Sequence, residues 1–262
     1  MTPQKALLFY LLFYLIVPSL FLIVLRIGPA HAQNSRRESA GSYYNRGNEK
    51  QKQGDLDGAI EDYTFAVTFD PQFAQAWNNR GGLRFLKGQF DDAIADCTKA
   101  IELKPDYAEA WNNRGNARQD KGNLDEAIAD FDQAVKLNPH YAQAFHSRGA
   151  ARHAKKDLEG ALSDYNRALD LNPKDASAHQ NRGVVRKERG DLDGAFSDFD
   201  QTIQLNPRRA AAWAYRGLVL LMQGKDADAE RDFRQCLLLD PRLKQSLEAR
   251  IREARQQRTA VN

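Results

Sequence analysis

The sequence predicts an all-α fold, a solenoid of stacked helical hairpins. Three observations carry this. Glycine recurs at Gly47, Gly81, Gly115, Gly149, Gly183 and Gly217, always 34 residues apart. Proline recurs at Pro71, Pro105, Pro139, Pro173, Pro207 and Pro241 with the same period. Between these marks every unit holds two apolar-periodic stretches separated by a short polar turn. A fixed period of this size signals units that stack, because each one leaves an apolar face for its neighbour to cover.

The unit from Ala108 to Pro139 shows the local logic. Trp111 to Lys121 lacks helix breakers apart from Gly115, Gly122-Asn123 marks a turn, and Asp125 to Leu137 has no Gly or Pro. Two helices of roughly three turns each follow from that punctuation. Pro139 ends the second helix, since proline cannot continue it and moves the residue before it out of the helical region. Leu124, Ala127, Ile128, Phe131, Ala134, Val135 and Leu137 recur at three- and four-residue steps, an apolar face wide enough for two neighbours. Gly115 lets the first helix lie close to Ala127 and its surroundings, so a large residue there is expected to force the pair apart.

With Trp111, Gly115, Ala127, Phe131, Ala134 and Pro139 in sequence, the unit resembles the tetratricopeptide repeat. The resemblance covers about Ala40 to Pro241 in six units: 40–73, 74–107, 108–141, 142–175, 176–209 and 210–241. It implies a right-handed α-solenoid whose first helices line a concave groove. It also implies a non-enzymatic scaffold that binds protein or peptide; the alternative is a structural subunit of a cell-envelope complex that uses the convex face and the C-terminal helix. The units depart from the family at two places. Arg46, Arg80, Arg114, Arg148, Arg182 and Arg216 replace the usual large apolar residue before the Gly. Lys50, Arg84, Arg118, Arg152, Arg186 and then Leu220 replace the usual tyrosine three residues after it. Arginines that are partly buried need partners. Every second helix supplies an aspartate: Asp62, Asp96, Asp130, Asp164, Asp198 and Asp232. Recurrent Arg–Asp pairing, within a unit or across to the next, is expected; the alternative is two solvated charged faces.

Ahead of the repeats, residues 1–32 read as a targeting segment. Lys5 precedes an uncharged apolar run from Ala6 to Leu25, and Ala30-His31-Ala32 has the small-x-small pattern cut by a signal peptidase, here before Gln33. The run is also long enough, at about 30 Å, to span a bilayer as an uncleaved anchor. Pro18 does not forbid that, and Arg26, Arg36 and Arg37 after the run could hold the repeats in the cytoplasm. The cleavage pattern favours export, to the periplasm or the medium, and membrane contact arises only through residues 6–25 if they are retained. Residues 33–39 form a polar linker.

The units then follow in order. Their aromatic place holds Tyr43, Trp77, Trp111, Phe145, His179 and Trp213. Unit four carries Lys156 where the others have a turn glycine, and in unit six Asp226 interrupts the second helix where others have Leu or Phe. Terminal units are expected to be atypical. Residues 242–262 hold Leu243, Leu247 and Ile251 at four-residue steps, an amphipathic helix expected to cap unit six. A basic membrane-surface helix is its alternative. Residues 255–262 are expected to fray.

Charge and composition narrow the partners. The net charge is +3, of which residues 1–32 supply +2 and residues 242–262 supply +4, so residues 33–241 between them carry −3. No basic stripe runs along them, which argues against nucleic acid. Cys97 stands where other units have Phe or Tyr, and Cys236 where others have Ala; both read as small core residues. No Ser/His/Asp set, phosphate loop or Cys-x-x-Cys is present, so no enzyme activity, cofactor or metal is expected.

The candidate binding residues lie on the first helices. Just before each Arg-Gly pair stand Asn45, Asn79, Asn113 and Asn181, with Ser147 and Tyr215 as exceptions. By the family resemblance, such a ladder grips the backbone of an extended peptide. An amide offers both donor and acceptor, which suits a peptide bond. Asn48, Asn78, Asn112 and Asn116 make the same wall amide-rich, and His146 adds a polar group. The alternative is that these amides pair with the neighbouring helix. The lysine and asparagine arrangement that clamps a terminal carboxylate in some relatives is missing. Leu218, Leu221 and Met222 are expected either to seat an apolar anchor of a partner or to receive the final helix.

Overall fold

The computed structural model describes residues 39–261, all of whose regular elements are helices. The expected targeting segment, and residues 33–38 of the linker, lie outside these residues. Helix α1 runs through residues 39–52. It is followed by α2 (Leu56–Phe69), α3 (Ala74–Leu86), α4 (Phe90–Leu103), α5 (Ala108–Asp120) and α6 (Leu124–Leu137). Next come α7 (Ala142–Ala154), α8 (Leu158–Leu171), α9 (Ala176–Glu188), α10 (Leu192–Leu205), α11 (Ala210–Met222) and α12 (Asp226–Leu239). A 3₁₀ turn at Pro241–Leu243 leads into α13 (Lys244–Val261). Consecutive helices pair into hairpins, and the fold is an all-α array of them. The hairpins form two compact units, the first ending at Pro105 and the second starting at Asp106. Among the described residues no helix is long and apolar enough to cross a membrane.

Local chemistry sets the helix ends. Asp55, Asp157 and Asp191 each precede a second helix and accept the amide of the residue three further on, Gly58, Gly160 and Gly194, at 2.9 Å. That satisfies one of the orphan donors of a helix start. Between the helices of a hairpin the chain passes through a left-handed residue. Gly122 does so at φ 86°, and its counterpart Lys156 does so at φ 66° although it carries a side chain. In α3 and α11 the indole Nε1 of Trp77 and Trp213 donates to the carbonyl of Pro71 and Pro207, at 3.0 and 2.9 Å. His179 takes the same place in α9, with Nε2 3.0 Å from the Pro173 carbonyl.

The helices of a hairpin close on glycine. A Cβ added at Gly115 would lie 2.6 Å from Phe131 Cε1. The neighbour that forbids a side chain there is therefore the Phe131 ring rather than Ala127. Cys97 plays the ring's part for Gly81, its Sγ 2.8 Å from an added Cβ. Both cysteines are free and buried.

The apolar clusters sit between hairpins. Ala59 and Tyr63 of α2 join Leu83 of α3; Ala127 and Phe131 of α6 join Ala151 of α7. Ala161 and Tyr165 join Val185, and Ala195 and Phe199 join Val219. Within each compact unit a hairpin thus lends its second helix to the next hairpin's core. The last cluster is completed by α13, whose Leu247 and Ala254 are buried with Leu218, Leu220, Leu221 and Phe233, with Leu243 and Ile251 packed alongside. Leu218 and Leu221 are covered by the capping helix.

Two expectations at this end need correction. Asp226 does not interrupt the second helix of unit six; it is the first residue of α12. There it binds the Arg258 guanidinium through Nη1 and, at 3.2 Å, through Nη2. Nor does the chain fray from residue 255. It stays helical to Val261, because Arg258 also donates to the Leu221 carbonyl at 2.9 Å and Arg255 lies 3.5 Å from Glu230.

Candidate functional site

The first helices contact one another along the second compact unit, α5 with α7, α7 with α9 and α9 with α11. They line one face of it. What holds them in register is a ladder of guanidinium groups. Arg80 grips Asp96 through Nε at 2.8 Å and Nη2 at 2.7 Å. Arg114 does the same to Asp130 at 2.9 and 2.7 Å, and Arg216 to Asp232 at 2.8 and 2.8 Å. Arg46, Arg148 and Arg182 hold Asp62, Asp164 and Asp198 likewise. A second cation joins each carboxylate in five units: Lys50, Arg84, Arg118, Arg152 and Arg186, at 2.7–3.0 Å. Unit six has Leu220 there and adds none. All six aspartates are buried, which rules out the two solvated faces. The planar fork of arginine suits this two-point grip on a carboxylate. Most of these arginines also lie over the aromatic of their unit, as Arg80 does 4.7 Å from the Trp77 centroid.

The electrostatics follow. The Arg46 bond, and then Lys50, hold the Asp62 carboxyl below the ordinary carboxylate range. At Asp198 burial, the largest influence, pushes the carboxyl up, yet His179, Arg182 and Arg186 together keep it low. The Asp232 bond raises the Arg216 guanidinium against its desolvation.

With the charges placed between helices, the exposed side of the first helices is left to amides. In the first compact unit Asn48, Asn78 and Asn79 come together. Asn79 Nδ2 donates to Tyr44 Oη at 3.2 Å and to Asn48 Oδ1 at 3.3 Å, Asn78 Nδ2 donates to Asn79 Oδ1 at 3.2 Å, and the Tyr63 hydroxyl lies 2.7 Å from Asn48 Oδ1. Asn45 stands apart and exposed. In the second unit Asn181 Nδ2 meets His146 Nε2 at 3.0 Å, joining α9 to α7. Asn112 is buried with Oδ1 unpaired, while Asn113 and Asn116 are half-buried. Asn79 and Asn181 therefore pair with the preceding first helix, the alternative considered for them. Asn45 and Asn116 make no hydrogen bond within the protein among the described residues and keep both amide groups for something else.

Histidine does related work. His146 Nδ1 lies 3.3 Å from Asp175 Oδ2, an ion-pair distance with poor hydrogen-bond alignment. That contact, with amides from Ala178 and Ser177, lowers the Asp175 carboxyl to about 2. His153 Nε2 meets Glu188 Oε1 at 3.1 Å, again one unit on. Tyr44, Lys187 and Glu188 were not singled out by sequence. A signal for Tyr44 existed, since it precedes Asn45 as His146 precedes Ser147, in step with the repeat.

At the C-terminal end α13 turns this face into a pocket of about 210 Å³, whose lining includes Lys187, Glu188, Tyr215, Met222, Arg250 and Glu253 with Val184, Leu218 and Ala254. Arg250 lies over the Tyr215 ring, 5.3 Å from its centroid. Val184 and Leu218 occupy the repeat place that Asn116 holds in α5, so Asn116 faces the same side.

Comparison with known proteins agrees with this geometry. Tetratricopeptide repeat profiles match residues 40–73, 74–107, 108–141 and 210–243, and a TPR repeat profile matches residues 149–188. No curated protein matches the chain. The crystal structure of MamA is 26% identical, with a TM-score of 0.57 over 63% of this chain and 96% of its own. YrrB, described as a TPR protein with an unusual peptide-binding site, is 24% identical, with a TM-score of 0.60 over 72% of this chain and 98% of its own. PilF of Pseudomonas aeruginosa is 20% identical, with a TM-score of 0.70 over 79% and 94%. The last two show the shared fold. With profiles matched over most of the chain and every unit closed by the same glycine, ladder and proline, the protein belongs to the tetratricopeptide repeat family of protein-interaction scaffolds.

Proposed function

We propose that this protein binds an extended peptide or protein segment along the face lined by its first helices, without catalysing a reaction. The observation that supports this is the amide character of that face in a chain with 28% charged residues. The arginine before each repeat glycine spends two nitrogens on the buried aspartate of its own hairpin. Among the described residues Asn45 and Asn116 have donor and acceptor unpaired, which matches the main chain of an extended ligand. Asn48, Asn78 and Asn79 add polar groups to the first helices of the first compact unit, and Asn112, Asn113, His146 and Asn181 do so in the second. YrrB, which shares this fold, is described as having an unusual peptide-binding site. Export or anchoring by residues 1–32 would place the scaffold outside the cytoplasm or at the membrane.

A library of unstructured peptides displayed on phage, selected on the chain beginning at Gln33, tests this. Asn116→Ala is expected to weaken selected binders about 3- to 10-fold, the equivalent of one hydrogen bond. Binders that ignore both Asn45→Ala and Asn116→Ala, or that map to the second helices, would refute the groove.

A further inference from the structure

Among the described residues, one arm of the guanidinium ladder has no partner. In units two, four, five and six the arginine spends Nε and Nη2 on its own aspartate. It then extends Nη1 to the second helix of the preceding unit. The acceptors are Thr64 at 3.0 Å, Asp132 at 2.7 Å, Asn166 at 2.8 Å and Asp200 at 2.5 Å. Each acceptor stands between an apolar residue four places before it and another three places after it, as in Ile128-Asp132-Val135 and Phe196-Asp200-Ile203. Positions i, i+4 and i+7 share one helix face.

Arg46 of α1 holds Asp62 in the usual way, but its Nη1 has no acceptor among the described residues. Its side chain is 57% exposed, against 8% for Arg80 and 17% for Arg216. The guanidinium lies over the Tyr43 ring at 4.9 Å. Tyr43 in turn packs on Phe65 and Phe69 with centroids 5.0 and 5.4 Å away, and those two rings stay 40% and 37% exposed. Phe65 breaks the repeat, since later units carry Lys99, Gln133, Arg167 and Gln201 in its place. A free cation arm beside an exposed aromatic set is a surface cut for an amphipathic helix.

We infer that the α1 edge docks an α-helix of a partner protein bearing an apolar residue, then Asp, Asn or Thr, then an apolar residue at i, i+4 and i+7. Charge complementarity selects that occupant over a second copy joined head to tail. The corresponding places in the last second helix, α12, hold Glu230, Arg234 and Leu237. A second copy would thus present an arginine to Arg46, and its last first helix is already covered by α13.

The test uses a stapled peptide of this chain's own Leu124–Leu137 sequence, which carries Ile128, Asp132 and Val135, and its Asp132→Arg form. Binding to the full chain and to the chain beginning at Gln33 is read by fluorescence anisotropy. The Asp peptide is expected to bind both, and Asp132→Arg to weaken binding at least ~10-fold. Arg46→Lys keeps a charge for Asp62 but removes the spare arm; Phe65→Gln installs the residue that units three and five use. Each is expected to weaken binding several-fold, while Asn116→Ala leaves it unchanged. Equal binding of the two peptides, no binding, or indifference to Arg46→Lys and Phe65→Gln would overturn the inference. So would binding only to the chain that lacks residues 1–32, which would make the chain's own leader the occupant. Concentration-dependent dimers abolished by Phe65→Gln would assign the edge to a second copy and overturn it equally.

Discussion

Arg148 and Asp164, sixteen residues apart in sequence, face each other across one hairpin, with Nη2 2.6 Å from Oδ1 and Nε 3.0 Å from Oδ2. Arg152 adds a third bond to the same carboxylate at 2.8 Å, and Arg148 Nη1 carries the connection back to Asp132. The family's apolar contact has been replaced by a charged knot that ties three helices. Asp164→Ala would leave two cations without their buried anion, at a cost of about 3–5 kcal/mol. Chemical denaturation should show the loss, and hydrogen exchange should place it in α7 and α8. A variant within 1 kcal/mol of the parent would mean that the cations find water instead.

Gly115 tests the packing of the hairpin. Its missing Cβ would lie 2.6 Å from a ring that is fully buried and cannot swing away. Gly115→Ala is expected to cost about 1–3 kcal/mol, despite the better helix propensity of alanine. Adding Phe131→Leu should recover part of that cost relative to Phe131→Leu alone, a coupling that a double-mutant cycle would detect.

Lys156 is the one non-glycine described residue in left-handed conformation. Its side chain is 77% exposed and its nearest acid, Glu188, is 3.9 Å away, so little compensates the backbone. Lys156→Gly should stabilise the chain by about 1 kcal/mol. A thermal midpoint that falls would show that the lysine earns its place through a contact of another kind.

Acid should loosen the join between α7 and α9. The Asp175 carboxyl sits at about 2 in the folded chain, below its ordinary value. The stability it contributes is therefore complete above the ordinary carboxylate value of about 4 and is lost as pH falls toward 2. His146→Ala should flatten the fall in thermal midpoint between those limits, because the largest cause of the low value is gone. An unchanged slope would move the effect to other carboxylates, such as Asp198.

Removing α13 should uncover the last core cluster. A chain ending before Lys244 would expose Leu218, Leu220 and Leu221, which are now nearly inaccessible. Binding of a hydrophobic dye and aggregation on warming are expected, with α11 and α12 losing exchange protection.

Much of this architecture was legible because a period repeats its own evidence. Gly115, Pro139 and the apolar steps of α6 each recur in phase, so hairpins, turns and the Arg–Asp pairing could be argued from residues. Direction was harder to read. Asn79 and Asn45 hold the same repeat place, but nothing in a string of letters says that Asn79 bonds back to Tyr44 while Asn45 has no hydrogen bond among the described residues. Contacts across units depend on the tilt between helices, which composition does not encode. Arg258 was missed for a related reason: its partners, Asp226 and the Leu221 carbonyl, lie more than thirty residues away and obey no repeat.

Since Tyr63 needs Leu83 and Phe131 needs Ala151, the junctions inside each compact unit use the same kinds of atoms on both of their sides. A duplication or excision of one whole 34-residue block would rejoin matching surfaces. Loss of even a few residues inside a helix would rotate its faces and spoil two junctions together. Length variation in this lineage should therefore come in whole blocks.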